Sequence, residues 1–135
     1  MIQVELSKII IDEKRHDQVI VLKEKDGDRQ FPIVIGFTEA SSIKMKLSGV
    51  TPPRPMTHDL IVNILEAFNA RMERLVIDDM VNNTFHSKLE LKLRNGRRKT
   101  IDSRPSDGIA VAVRTGAPIF VQDHVLDKAE IFKSH

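Results

Sequence analysis

Apolar and polar positions alternate along Val4–Asp12, Gln18–Lys25 and Gln30–Gly36, and a period of two predicts three strands. The last two join across "KDGD", where Asp26-Gly27 supplies a turn, so the chain opens as a meander. Pro32 lacks an amide hydrogen, which predicts an edge or a solvent-facing amide there. Thr38–Ser48 then reads as a helix with Thr38 as N-cap and Gly49 as its stop, burying Ala40, Ile43 and Leu47. A second helix starts at Thr57; Leu60, Ile61, Ile64, Leu65 and Phe68 recur at helical spacing to about Ala70, and it should pack on the sheet.

Met72–Asp78 and Thr84–Arg94 read as strands, and the alternation of "KLELKLR" places Leu89, Leu91 and Leu93 on one face. At Asn95-Gly96 a two-residue turn would set Ile101 opposite Glu90. A three-residue loop, Arg94–Gly96 with Gly96 left-handed, sets it opposite Leu89, which keeps apolar side chains together and is the preferred register. Pro105–Thr115 predicts a third helix with proline at its first position and Gly116 past its end; a short strand, Pro118–Gln122, and a short helix, Val125–Phe132, follow. The expected class is α+β: mostly antiparallel twisted sheet with three to four helices, in a single domain over residues 1–135 whose last residues, 130–135, fray.

At 135 residues the chain is long enough to bury roughly two-thirds of its unfolded surface in one core. It is 41% hydrophobic and 30% charged, with no low-complexity tract, as expected of a globular protein. With no cysteine, disulfides, thiolate metal sites and thiol nucleophiles are excluded. Strand-like sequence from Met1, without a leader or an apolar span, leads to the expectation of a cytoplasmic protein with no membrane partner. The formal net charge of +2 names no partner, but it is unevenly spread. Between Lys88 and Arg104 seven basic residues face two acidic ones, and the tip carries Arg97, Arg98 and Lys99. This is either a solvated hairpin face or a phosphate-contacting patch on nucleic acid.

Two segments carry candidate chemistry. "GVTPPRPMTHDL", Gly49 to Leu60, stiffens the backbone with Pro52, Pro53 and Pro55 and presents Arg54, His58 and Asp59 where a helix begins. "IDSRPSDGIA", Ile101 to Ala110, places Asp102, Arg104 and Asp107 where a strand becomes a helix. Helix starts favour anions, so Asp59 and Asp107 serve either as helix stabilisers or as reactive carboxylates. The same dipole disfavours a protonated His58, leaving the imidazole fit to accept a proton or bind a metal. Arg104 either pairs with a neighbouring aspartate or binds an anion. Asp59, Asp102 and Asp107 together are a donor set suited to magnesium or manganese. Nucleotide loops, paired zinc-ligand histidines and nucleophile elbows are absent, and with no Trp or Tyr there is no stacking platform for single strands. The remaining histidines, His16, His86, His124 and His135, are scattered.

"PPRPMTHDL" followed by "IDSRPSDGIAVAVRTGAPIFV", with "FPIVIGFTEASSI" upstream, resembles the bifunctional nuclease domain family. The resemblance implies an α+β fold that self-associates and hydrolyses DNA and RNA. Its matching polar positions are Arg54, His58, Asp59, Asp102, Arg104, Ser106 and Asp107, while Gly108 stands where the family usually has alanine, which should loosen the helix start. Two functions follow as expectations. In the first, aspartates hold a metal, His58 acts as base, and Arg54 and Arg104 stabilise phosphate charge. In the second, the same helix starts bind an anionic ligand or a partner without catalysis. Short edge strands and the apolar "PIFV" add the expectation of a homo-oligomer, dimeric or higher. The three prolines are expected to aim His58 and Asp59 at the Asp102–Asp107 turn, building one site from two helix starts.

Overall fold

A computed structural model describes residues 1–133 except 13 and 15; residues 134 and 135, His135 and the end of the expected tail among them, lie outside the described residues. The first meander consists of β1 (Ile2–Ile10), β2 (Asp17–Glu24) and β3 (Arg29–Gly36), followed by α1 (Phe37–Leu47). After the proline loop come α2 (Thr57–Ala67) and a second meander, β4 (Arg71–Val81), β5 (Thr84–Lys92) and β6 (Arg98–Ser103), followed by α3 (Pro105–Thr115). Then follow β7 (Ile119–Val121), α4 (Asp123–Lys128) and β8 (Phe132–Lys133).

Among the described residues the strands form one eight-stranded sheet in the order β6-β5-β4-β7-β1-β2-β3-β8. It is antiparallel except where β7 runs parallel to β4. The α+β class therefore stands, but "PIFV" is no edge: β7 closes the centre by pairing Ile119 with both Leu75 and Val4. The case for oligomerisation loses that support. The opposite end keeps its open edge, because β8 covers β3 only at Arg29 and Gln30 and leaves the segment containing Pro32 without a strand neighbour on that side. Phe132 and Lys133 pair there, where fraying was expected, and α4 ends at Lys128 rather than Phe132.

Alternation built the core as expected. Ile20, Leu22, Phe31, Ile33 and Ile35 on one side of the molecule, and Leu75, Ile77, Leu89 and Leu91 on the other, are buried under α1 and α3. The sheet curls enough for Phe31 of β3 and Phe85 of β5 to meet at 5.8 Å between ring centroids. The β5–β6 hairpin adopts the three-residue loop: Leu89 faces Ile101, Leu93 N–H donates to Arg97 C=O, and Gly96 has φ 84°. The β4–β5 turn uses another device, two consecutive left-handed asparagines, Asn82 (φ 51°) and Asn83 (φ 62°).

The helices depart from expectation at their starts and faces. α1 begins after Gly36, so Thr38 lies inside it, and Leu47 is exposed. α2 begins after Met56, which displaces Thr57 as N-cap. α2 leans mainly on α3 rather than on the sheet: Ile61 and Leu65 are partly buried, whereas Leu60, Ile64 and Phe68 face outward. α3 is the central helix, with seven of its eleven residues buried. A Cβ at Gly108 would lie 2.4 Å from Leu75 Cδ1, so this glycine permits a close helix–strand approach instead of loosening the helix.

Candidate functional site

His58 is the only buried residue of α2. The proline loop delivers the helix start so that the imidazole enters the junction of α1, α2 and α3. Its Nε2 lies 2.8 Å from Asp107 Oδ1 of α3, and its Nδ1 lies 2.7 Å from Ser42 Oγ of α1. The two helix starts do converge. From Ser42 the chain of contacts continues to Arg114, whose guanidinium donates to Ser42 Oγ (3.0 Å), Ser42 C=O (3.2 Å) and Asp59 Oδ1 (2.7 Å). From Asp107 it continues to Arg104, which donates through Nε to Asp107 Oδ2 (2.9 Å) and through Nη2 to Glu39 Oε1 (2.8 Å).

One polarity satisfies this chain. Arg114 has only donors, so Ser42 Oγ accepts from it and gives its own hydrogen to His58 Nδ1; Nε2–H then donates to Asp107. Each group holds the next, from Asp59 at one end to Glu39 at the other. Asp59 closes its own helix as well, accepting from Met56 N–H at 2.9 Å. The Arg114 hydrogen bond first, and the Met56 amide second, hold the Asp59 carboxyl below its ordinary 3.8. The Asp107 hydrogen bond, followed by its charge, raises Arg104 above its ordinary value, so the guanidinium stays charged.

Of the ten expected site residues, His58, Asp59, Arg104 and Asp107 meet in this network. Asp102 does not. It lies on β6 with its side chain 78% exposed and pairs with Lys88 at 3.1 Å, because the Lys88–Asp102 register sends it to the outer face. Arg54 is exposed and without a hydrogen-bond or ion-pair partner among the described residues. Arg97 and Lys99 stay on the hairpin surface, while Arg98 pairs with Glu73 at 2.7 Å. Among the described residues no three His, Asp or Glu side chains gather to hold a metal ion. The expected set of Asp59, Asp102 and Asp107 fails as a ligand cage because each carboxylate is already committed, to Arg114, to Lys88, and to His58 with Arg104.

Sequence reasoning missed Glu39, Ser42 and Arg114. One signal was available: Arg114 follows the apolar run "GIAVAV" two helical turns after Asp107, on the same face of α3, where an arginine must find a partner.

Ser106 has a different setting. It is 6% exposed, lies at the second position of α3 and lines a groove of about 660 Å³. Arg104 and Pro105 line the same groove, opposite the open edge of β3 from Pro32 to Gly36 and beside the β4–β5 turn. The site thus has two compartments separated by Arg104: a buried polar chain behind it and an open groove in front.

In this α+β fold an arginine and a helix start without a side-chain cap face one open groove. The chain belongs to the bifunctional nuclease domain family, whose model matches residues 20–134. It is 37% identical over 127 residues to an uncharacterised protein of Mycobacterium tuberculosis, covering 94% of this chain and 75% of that protein. It is 30% identical over 109 residues to bifunctional nuclease 1 of Oryza sativa subsp. indica and to bifunctional nuclease of Oryza minuta. Those matches cover 78% of this chain but only 33% of the rice proteins.

Proposed function

We propose that the protein hydrolyses phosphodiester bonds of nucleic acid at the groove where α3 begins. Family membership supports the class. The observation that carries the reading is the pairing of Arg104 with the uncapped start of α3 on one groove, a receptor for a phosphate. Asp107 is the carboxylate at that start, with its side chain 30% exposed. A phosphate that takes over the Arg104 guanidinium releases Asp107 Oδ2 to hold a water. The water oxygen then bonds to phosphorus as its proton passes to Asp107, and the bond from phosphorus to the sugar oxygen breaks, the oxygen leaving with the bonding pair and taking a proton from solvent water. His58 is a positioning residue in this scheme: at 4% exposure, with both nitrogens occupied, it orients Asp107 and does not reach substrate. Asp59 acts one step further back, through Arg114.

The test is cleavage of RNA and single-stranded DNA by purified protein with magnesium, with manganese and with a chelator. Magnesium or manganese enters as a variable because the carboxylates expected to bind it are all paired. Asp107→Asn should lower cleavage by about 100-fold or more, while Asp102→Ala stays near wild type. No cleavage under any of the three conditions, or equal losses in the two variants, overturns the reading. The second reading, an oligomeric module that binds an anion or a partner without catalysis, is favoured by one observation: every titratable group of the polar chain already has a partner.

A further inference from the structure

We propose that the groove in front of α3 binds one nucleotide unit, as a free nucleoside monophosphate or as one residue of a single strand, with its phosphate on the helix start. This rests on the phosphate contact proposed above and not on hydrolysis. The N-cap Arg104 makes no side-chain cap bond, Pro105 has no N–H, and the Ser106 and Asp107 amides have no partner among the described residues. The Ser106 hydroxyl is the second, independent sign. It belongs to a residue 6% exposed, lines the groove, and has no hydrogen-bond partner among the described residues. Its oxygen is not sealed from solvent, so it stands unpaired at the groove surface, free to donate to a ligand oxygen. Arg104 lines the groove and, 67% exposed at its side chain, offers its guanidinium to the phosphate in exchange for its bonds to Asp107 and Glu39.

The other walls decide what carries the phosphate. Ser87 pairs with Ser103, so β5 places Phe85 beside the Arg104–Pro105 exit, where its ring is steadied by Phe31. With Met80 and Ile33 it makes an apolar surface that fits the flat face of a base. Asp17, Glu130 and Lys128 also line the groove; the two carboxylates accept from ribose hydroxyls or a base amino group, which a bare phosphate lacks. The volume, about 660 Å³, lies within the roughly 300–1,000 Å³ usual for small-molecule sites.

The experiment is calorimetric titration of the full chain with adenosine monophosphate, ribose 5-phosphate, inorganic phosphate and adenosine, followed by a short single-stranded oligonucleotide. Adenosine monophosphate should bind more tightly than ribose 5-phosphate, and both more tightly than adenosine. Ser106→Ala should weaken the monophosphate about ten-fold or more, the effect of one hydrogen bond to a charged group. Phe85→Leu, which keeps apolar volume, should weaken adenosine monophosphate while leaving inorganic phosphate unchanged. Competition by the oligonucleotide for the same site extends the site to strands; its absence leaves the free monophosphate as the ligand. Adenosine binding as tightly as its monophosphate, or Ser106→Ala binding it like wild type, overturns the proposal. Binding without any cleavage keeps this site and removes hydrolysis. Cleavage that adenosine monophosphate does not inhibit removes this site and keeps hydrolysis.

Discussion

α2 and α3 both begin beside prolines, and both carry an aspartate in the first turn, yet the two carboxylates take different partners and the two starts different surroundings. At α2 the Asp59 carboxylate returns to the Met56 amide and takes Arg114 as its ion pair, so the dipole is answered from within the chain. At α3 the Asp107 carboxylate is turned toward His58 and Arg104. Amides of the first turn lack partners among the described residues at both starts, so an aspartate in a first turn does not by itself close a helix. The starts differ in what they face: Arg104, Pro105 and Ser106 of α3 line the groove, and no residue of α2 does.

The comparison can be broken most severely at Arg114, which holds Asp59 at the α2 start and ties α1 to α3. Arg114→Met should lower unfolding free energy by about 3 kcal/mol, read from urea denaturation, because Asp59 and Ser42 lose a shared buried donor. Gly108→Ala comes next. Although alanine gains up to about 1 kcal/mol of helix propensity, its Cβ would meet Leu75, a fully buried side chain, and overpacking of about 1–3 kcal/mol should prevail. The melting temperature should fall.

Acid should separate the two starts further. The folded Asp59 carboxyl titrates below its unfolded value, so its contribution is complete above about 3.8 and is lost as pH falls through the folded value. Asp59→Asn should flatten the decline of stability in that window and leave the curve near neutrality parallel to wild type, in urea denaturation repeated from pH 6 to pH 2. At the α3 start, Ser106→Ala should change stability by less than about 0.5 kcal/mol, since the hydroxyl is open to the groove and has no partner to lose. Smallest in stability is the hairpin pair Arg97→Glu and Lys99→Glu. If these exposed cations contact phosphates, nucleic-acid affinity should fall and the salt slope lessen by about one per residue, with an unchanged melting curve.

Much of the fold was legible because it is written locally. Periods of two and 3.6, Pro105, Gly116 and the Asn95-Gly96 loop marked elements whose causes lie within a few residues of themselves. The place of β7 was not legible, since three apolar residues do not reveal that their neighbours are β1 and β4. The outward face of α2 was hidden for a related reason: helical spacing shows which residues share a face, not which side meets the core. At the site, the meeting of His58 with Asp107 followed from the stiff loop and two nearby helix starts. The roles of Ser42 and Glu39 did not, because an ordinary serine and glutamate on an amphipathic helix carry no mark until a second helix arrives.

The insertion of β7 between β1 and β4 also orders events in time. Each meander pairs neighbours a short distance apart in the chain and can form quickly, but among the described residues the only strand that joins them begins at Ile119. Until that residue has left the ribosome, Val4 and Leu75 lack their shared neighbour, and a nascent chain holds two half-sheets with apolar flanks open to water. The seam at the centre of the finished sheet is made late in synthesis, followed only by the short pairing of β8 with β3 among the described residues, so refolding should show a late step that a substitution such as Ile119→Ala slows more than any substitution confined to one meander.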